Sequence, residues 1–190
     1  HRIQNSLLDA SKWRLGSASE LKSLKTLETK GVKLGDACRI WVGIATQLDK
    51  AFTVFHNGNS WVGTTPDGIQ MEVEPGIVKS LLRVADLTSE ADILSNRRGV
   101  IYPYIVMNGK AKAIEESEIF EIYPNAMKYL ETWKSDLLKR DKGRVLECDW
   151  YKWGRAQSML PVSGKLITKT FNCGPDFYYD STDSLFSNGY

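Results

Sequence analysis

The sequence predicts an α/β (α+β) fold, a mixed, mainly antiparallel sheet with packed helices, and three observations predict it. Short runs rich in β-branched and aromatic residues are separated by turn signals in the first half of the chain. One clear amphipathic helical pattern stands out near 124–140. Of 190 residues 42% are apolar and 25% charged, the balance of an ordinary globular chain with a real core, and no repeat or low-complexity tract interrupts it.

Residues 18 to 30 place Leu21, Leu24 and Leu27 at three-residue spacing between Ser19, a candidate N-cap, and Gly31, a candidate stop. This predicts a short helix with a leucine stripe packed on a sheet. Residues 38 to 46 (CRIWVGIAT) and 51 to 56 (AFTVFH) read as strands, and the turn signal Asn57-Gly58 before Ser60-Trp61-Val62 predicts a hairpin. Residues 63 to 76 carry Gly63, Pro66, Gly68, Pro75 and Gly76, which predicts loops with at most a short strand at 69 to 73. The run 77 to 87 has the apolar spacing of a short helix or turn, and 99 to 106 (GVIYPYIV) reads as a strand that Pro103 restricts to an edge or bulge.

Proline is favoured at the first helical position, where its missing donor costs nothing, so the amphipathic helix starts near Pro124. Met127, Tyr129, Leu130, Trp133, Leu137 and Leu138 make its apolar side, with Lys128, Lys134, Lys139 and Arg140 on the rest. Asp136 is spaced to pair with Arg140, and Gly143 supplies the stop.

Charge separates along the chain more than its net of +2 suggests. Residues 71 to 127 hold 6 basic and 9 acidic side chains, whereas residues 128 to 169 hold 10 basic and 5 acidic ones. One cationic face could therefore dock on phosphates while the opposite side stays neutral or acidic. Cys38, Cys148 and Cys173 form no CxxC pair, which points to a reducing, cytoplasmic setting. With His1 and His56 far apart, no metal-ligand spacing exists. Hydrolase elbow, phosphate loop, metalloprotease and dinucleotide fingerprints are all missing, so no catalytic residue is expected. No apolar run approaches the roughly 20 residues that span a bilayer. The start at His1 and the lack of a signal-peptide pattern in residues 1 to 15 read as a piece of a longer protein.

Five segments in order, GIATQLDKAF (43 to 52), GVIYPYIV (99 to 106), YPNAMKYLETWKSDLLKRDKGR (123 to 144), WYKWGR (150 to 155) and KLITKT (165 to 170), carry a family resemblance. Together they resemble the TaqI-like C-terminal specificity domain, the target-recognition half of many adenine-specific DNA methyltransferases and fused restriction-modification enzymes. Gly43, Ile44, Thr46, Asp49, Ala51 and Phe52 match its Gly-Ile-x-Thr turn and Asp-x-Ala-Phe step, with Gln47 where a glycine is usual. Arg83 with Asp86, Tyr102-Pro103-Tyr104, Tyr123-Pro124, Leu138 with Arg140, and Trp150, Tyr151 and Arg155 match further along, followed by Phe177 and Asp180.

The resemblance implies a single recognition-domain fragment over 1–190, with 1–33 a helical lead-in from a missing N-terminal catalytic domain and 34–180 the specificity core. Double-stranded DNA and that methyltransferase domain would be its partners. S-adenosylmethionine would be bound by the missing lobe, none by this fragment, and the Asn/Asp-Pro-Pro-Tyr/Phe signature of that lobe does not occur here. The flipped base is methylated elsewhere while this part grips the site. Lys139, Arg140, Lys142, Arg144, Lys165 and Lys169 are then the expected phosphate contacts, and Gln47, Lys50, Arg97, Arg98, Trp153 and Arg155 the residues expected at or near bases. Arg97 and Arg98 are the foremost of these, because two adjacent arginines are costly to bury.

Two other classes fit parts of the sequence. Six tryptophans, eight tyrosines and the aromatic stretch Phe177-Tyr178-Tyr179 suit a carbohydrate- or small-ligand-binding module. A protein-interaction domain would instead show a large apolar patch. Among the tryptophans, Trp41, Trp133 and Trp150 are expected in the core, and Trp61 and Trp153 are candidates for exposure.

Overall fold

A computed structural model describes residues 16 to 170, 174 and 176 to 187. His1 and Cys173 lie outside them. The chain forms two compact units, His1–Trp41 and Val42–Tyr190.

In the first unit, helix α1 (Ala18–Lys30) is opened by a capping box in which Ser17, not Ser19, accepts from the Glu20 amide at 3.3 Å while the Glu20 carboxylate accepts from the Ser17 amide at 2.7 Å. Those bonds hold the Glu20 carboxyl below its usual range. The helix ends at Gly31, as its sequence predicts, but none of its residues is buried, and Leu24 and Leu27 are exposed. The leucine stripe is therefore not buried. A one-turn helix α2 (Leu34–Ala37) follows, and Trp41, expected in the core, is exposed with the Arg39 guanidinium over its ring.

The second unit is built on a six-stranded sheet in the order β10-β4-β5-β1-β2-β3, antiparallel except for the β10–β4 pair. Its strands are β1 (Thr53–His56), β2 (Trp61–Thr64), β3 (Gln70–Val73), β4 (Val78–Arg83), β5 (Arg98–Ile101) and β10 (Leu185–Ser187). The single turn α3 (Asp49–Phe52) leads into β1, and the Asn57 side chain accepts from the Asn59 and Ser60 amides to shape the hairpin the sequence predicts.

Two strand expectations are corrected. Residues 38 to 46 form no strand; Gly43 and Ile44 lie along β10, with the Ile44 amide donating to Phe186 at 2.8 Å. A side chain at Gly43 would meet the Phe186 carbonyl at 2.5 Å, so only glycine lets the two backbones approach. In residues 77 to 87, read as helix or turn, Val78–Arg83 form β4 instead, and only Val84–Asp86 make a 3₁₀ turn. Leu81 and Leu82 are adjacent and both buried, the pattern of a strand covered on both faces and hydrogen-bonded on both sides, which periodicity alone does not separate from a helix.

Pro103 does not sit on an edge. It divides its run into the interior strand β5 and β6 (Tyr104–Met107), which pairs with β7 (Lys110–Ala113) in a separate ribbon, because proline cannot carry the ladder through. Helices α4 (Ala91–Leu94), α5 (Glu116–Ile122), α6 (Pro124–Thr132) and α7 (Lys134–Leu138) complete the helical elements used here. Helix α6 starts at Pro124 as predicted, and its free N-terminus is capped from a distance: the Glu74 carboxylate accepts from the Asn125 and Ala126 amides at 2.7 and 2.8 Å.

The predicted apolar side of that helical run is buried, but the run is not one helix over 124–140. At Trp133 the pattern tightens to an i to i−3 bond onto Leu130, and α7 continues from there. After Leu138 the chain turns through positive φ at Asp141, Lys142 and Gly143. A last ribbon pairs β8 (Lys165–Ile167) with β9 (Tyr178–Asp180), and β10 closes the main sheet.

Candidate nucleic-acid interface

In a strand successive side chains alternate between the two faces, so the register of the sheet sorts its residues. Phe55 pairs with Val62 and Arg98, Thr53 with Val100, Thr64 with Gln70, and Ser187 with Arg83. Thr53, Phe55, Thr64, Leu81, Arg83, Arg98 and Ser187 therefore share one face. The other face carries Gly63, against which the Tyr129 ring of α6 packs so closely that a Cβ would lie 2.5 Å from it. The helical layer thus covers the second face.

On the first face lies an open groove of about 690 Å³, lined by those seven sheet residues together with Asp49, Lys50, Thr65, Pro66, Gly68 and Trp133. A smaller concavity of about 230 Å³ shares Phe55, Arg83 and Arg98 with it and adds Asp86, Asn96 and Arg97. Four cations, Lys50, Arg83, Arg97 and Arg98, border this surface against three carboxylates of the main groove and its neighbour, Asp49, Asp86 and Asp92. Register places Arg83 and Arg98, Arg97 immediately precedes β5, and α3 adds Lys50 at the groove wall. Phe55 is half-exposed at its centre.

A second group gathers around the carbonyl of Thr46. It accepts from the Gly154 amide at 3.0 Å and from the Arg140 guanidinium at 2.9 Å, while the Arg155 amide donates to Ala45. Next to it Gln47 adopts φ 64°, the left-handed conformation that the glycine usual at this position in the resembled family would favour. The side chain of Gln47 lies over Gly154. Thr46 also donates to Asp49 at 2.5 Å, which ties this loop to α3 and so to Lys50. Arg140 thereby anchors the exposed turn that carries Lys139, Lys142 and Arg144 to the loop of Gln47 and the exposed Arg155.

Three of the predicted contact residues are interior, and their placement is corrected. Arg140 is buried, with Nε, Nη1 and Nη2 donating to Leu137, Thr46 and Trp150 carbonyls at 2.9, 2.9 and 2.7 Å and its guanidinium over the Phe52 ring. Burial lowers its pKa from the usual arginine value. Such a fork satisfies carbonyls that no water reaches, which a helix-surface count of basic residues does not reveal. In consequence Asp136 pairs with Lys139 at 3.0 Å rather than with Arg140. Lys165 is buried beside Asp180, Nζ to Oδ2 2.6 Å, and also donates to the Val162 and Thr182 carbonyls. Trp153 is core: its Nε1 donates to Ile101 at 3.0 Å and its ring packs edge-on against Tyr102 and Tyr104.

Lys169 follows β8, half-buried, and lines neither concavity. Trp133 and Trp150 are buried as predicted, and Trp61 is half-buried with an edge contact to His56 at 5.1 Å. Arg83, Asp86 and Phe55 are the surface residues missed as contacts; Arg83 and Asp86 had a signal in the Arg-x-x-Asp element, and Phe55 had none beyond its place in a strand.

No family model matches the chain. It is 32% identical over 152 residues to the type II methyltransferase M.BanIII of Aneurinibacillus aneurinilyticus, covering 76% of this chain and 23% of that protein. It is 25% identical over 204 aligned residues to the type II restriction enzyme and methyltransferase RM.Eco57I of Escherichia coli, covering 98% of this chain and 20% of that protein. The chain therefore spans about a fifth to a quarter of the curated relatives it matches, and it is related to restriction-modification methyltransferases through that portion. No helix among the described residues is long and apolar enough to cross a membrane.

Proposed function

We propose that this chain is the DNA-recognition portion of a restriction-modification methyltransferase, of the TaqI-like specificity type, acting on adenine N6. The observation that carries the reading is the gathering of Lys50, Arg83, Arg97 and Arg98 around two adjoining concavities at the sheet. Phosphates of a duplex laid on that face would be neutralised by the exposed lysines and arginines, and the concave centre would meet base edges. The turn of Lys139, Lys142 and Arg144, with Gln47 and Arg155, supplies further cations and a polar reader. A basic concavity suits nucleic acid better than sugar, for which aromatic platforms free of cations would be needed. Methyl transfer from S-adenosylmethionine to a flipped adenine belongs in this reading to a lobe outside the chain, with which it would work in the cytoplasm.

Binding of random-sequence duplex DNA, followed by fluorescence anisotropy across a salt series, tests this. The expected dissociation constant is about 10⁻⁴ to 10⁻⁶ M near physiological salt, weakening steeply as salt rises. Replacing Arg97 and Arg98 together by alanine should weaken binding and flatten the salt slope. An affinity that does not change with salt, or no binding even at the low-salt end of the series, overturns the proposal.

A further inference from the structure

Arg98 is held in place before any partner arrives. Its backbone is clamped by Asn96, whose amide Nδ2 donates to the Arg98 carbonyl at 2.9 Å and whose Oδ1 accepts from the Arg98 amide at 3.2 Å. Its guanidinium lies over the Phe55 ring, 5.3 Å from the centroid. Its Nη1 donates to Asp86 Oδ2 at 2.8 Å. No other acceptor bonds the guanidinium among the described residues, so Nε and Nη2 form a free edge at the junction of the two concavities. Asp86 also meets Arg83, at 3.6 Å, and is itself half-exposed.

An arginine whose ring face and one nitrogen are already committed has lost most of its rotamer freedom and presents two parallel donors in a fixed plane. The donor pattern that matches is the pair of acceptors O6 and N7 on the major-groove edge of guanine. A phosphate also accepts a bidentate fork, but it carries a full negative charge, whose approach the Asp86 carboxylate beside the guanidinium opposes, whereas a guanine edge is neutral. We propose that Arg98 reads a guanine in the target duplex and that Asp86 is the positioning residue that aims it. This inference rests on the DNA-recognition reading above.

The two effects of Asp86 have opposite signs, which makes the inference testable. As a negative charge beside the DNA face it repels phosphates, so Asp86→Asn should tighten binding to all duplexes alike. As a positioning group its loss frees the Arg98 fork, so discrimination for guanine at one base pair should fall about tenfold. The experiment is selection of bound duplexes from a randomised library by the whole chain, followed by sequencing, for the wild type, Asp86→Asn and Arg98→Lys. The expected result is one guanine-dominated position in the wild type that both variants relax, because lysine cannot form the bidentate pair, while other positions keep their preference. A wild type that selects no guanine, or an Asp86→Asn variant that keeps the wild-type preference, overturns the inference while leaving DNA binding intact. A wild type that retains no duplex overturns the recognition reading itself.

Discussion

Replacing Arg140 by lysine separates a phosphate contact from a structural fork. The buried guanidinium donates three bonds, to Leu137, Thr46 and Trp150 carbonyls, and so joins the end of α7, the loop of Gln47 and the segment of Trp150. Hydrogen bonds to a charged group contribute about 1.5–3 kcal/mol each. An ammonium is a point donor and can keep one of the three at most in this geometry. Two are lost, and because Thr46 retains the Gly154 amide as a second donor the lower figure applies, giving about 3 kcal/mol. At about 2–4 °C per kcal/mol for a unit of this size, the thermal midpoint should fall by about 6–12 °C. Circular dichroism during heating measures it. A midpoint within about 2 °C of wild type would refute the reasoning, because the charge is kept and only the fork is removed.

Gly63→Ala should destabilise by about 1–3 kcal/mol, seen as a lower denaturant midpoint at unchanged slope, because the new methyl would stand 2.5 Å from the rigid Tyr129 ring rather than from a side chain that can swing away. Lys165→Met should cost about 3–5 kcal/mol in the same assay, since it leaves the fully buried Asp180 carboxylate without the ammonium at 2.6 Å; a neutral outcome would refute the pairing as a source of stability. Burial pushes the Tyr129 hydroxyl from 10.0 up to about 12, so the folded state holds its proton where the unfolded chain has released it. Its contribution is complete below pH 10 and is lost as pH rises to about 12, by about 1.4 kcal/mol per pH unit, and Tyr129→Phe should flatten that alkaline slope in equilibrium unfolding.

What the sequence by itself determined are the features written in local spacing and steric rules. Asn57-Gly58 turned the first hairpin, Pro124 began α6, and the period of Met127, Leu130, Trp133 and Leu137 marked the buried side, because each depends on residues within a few positions, whereas the helical run ended before Gly143, at left-handed Asp141 and Lys142. The mixed, mainly antiparallel class followed from the same signals. The resemblance likewise lay in the sequence, down to Gln47 at a position where the backbone turns left-handed. Only the tertiary structure decided which cations face water. Arg140 and Lys165 read as surface charges in their segments, yet carbonyls of Thr46 and Trp150 and the carboxylate of Asp180, brought in from far along the chain, made their burial favourable. It also made β4 a strand, since ladder partners on both sides settled an apolar pattern that two periods fit equally. The candidate interface is of this second kind: Arg83 and Arg98 come from different strands, and sheet register, which pairing sets and no single segment encodes, is what put them on one face, with Lys50 of α3 at its wall.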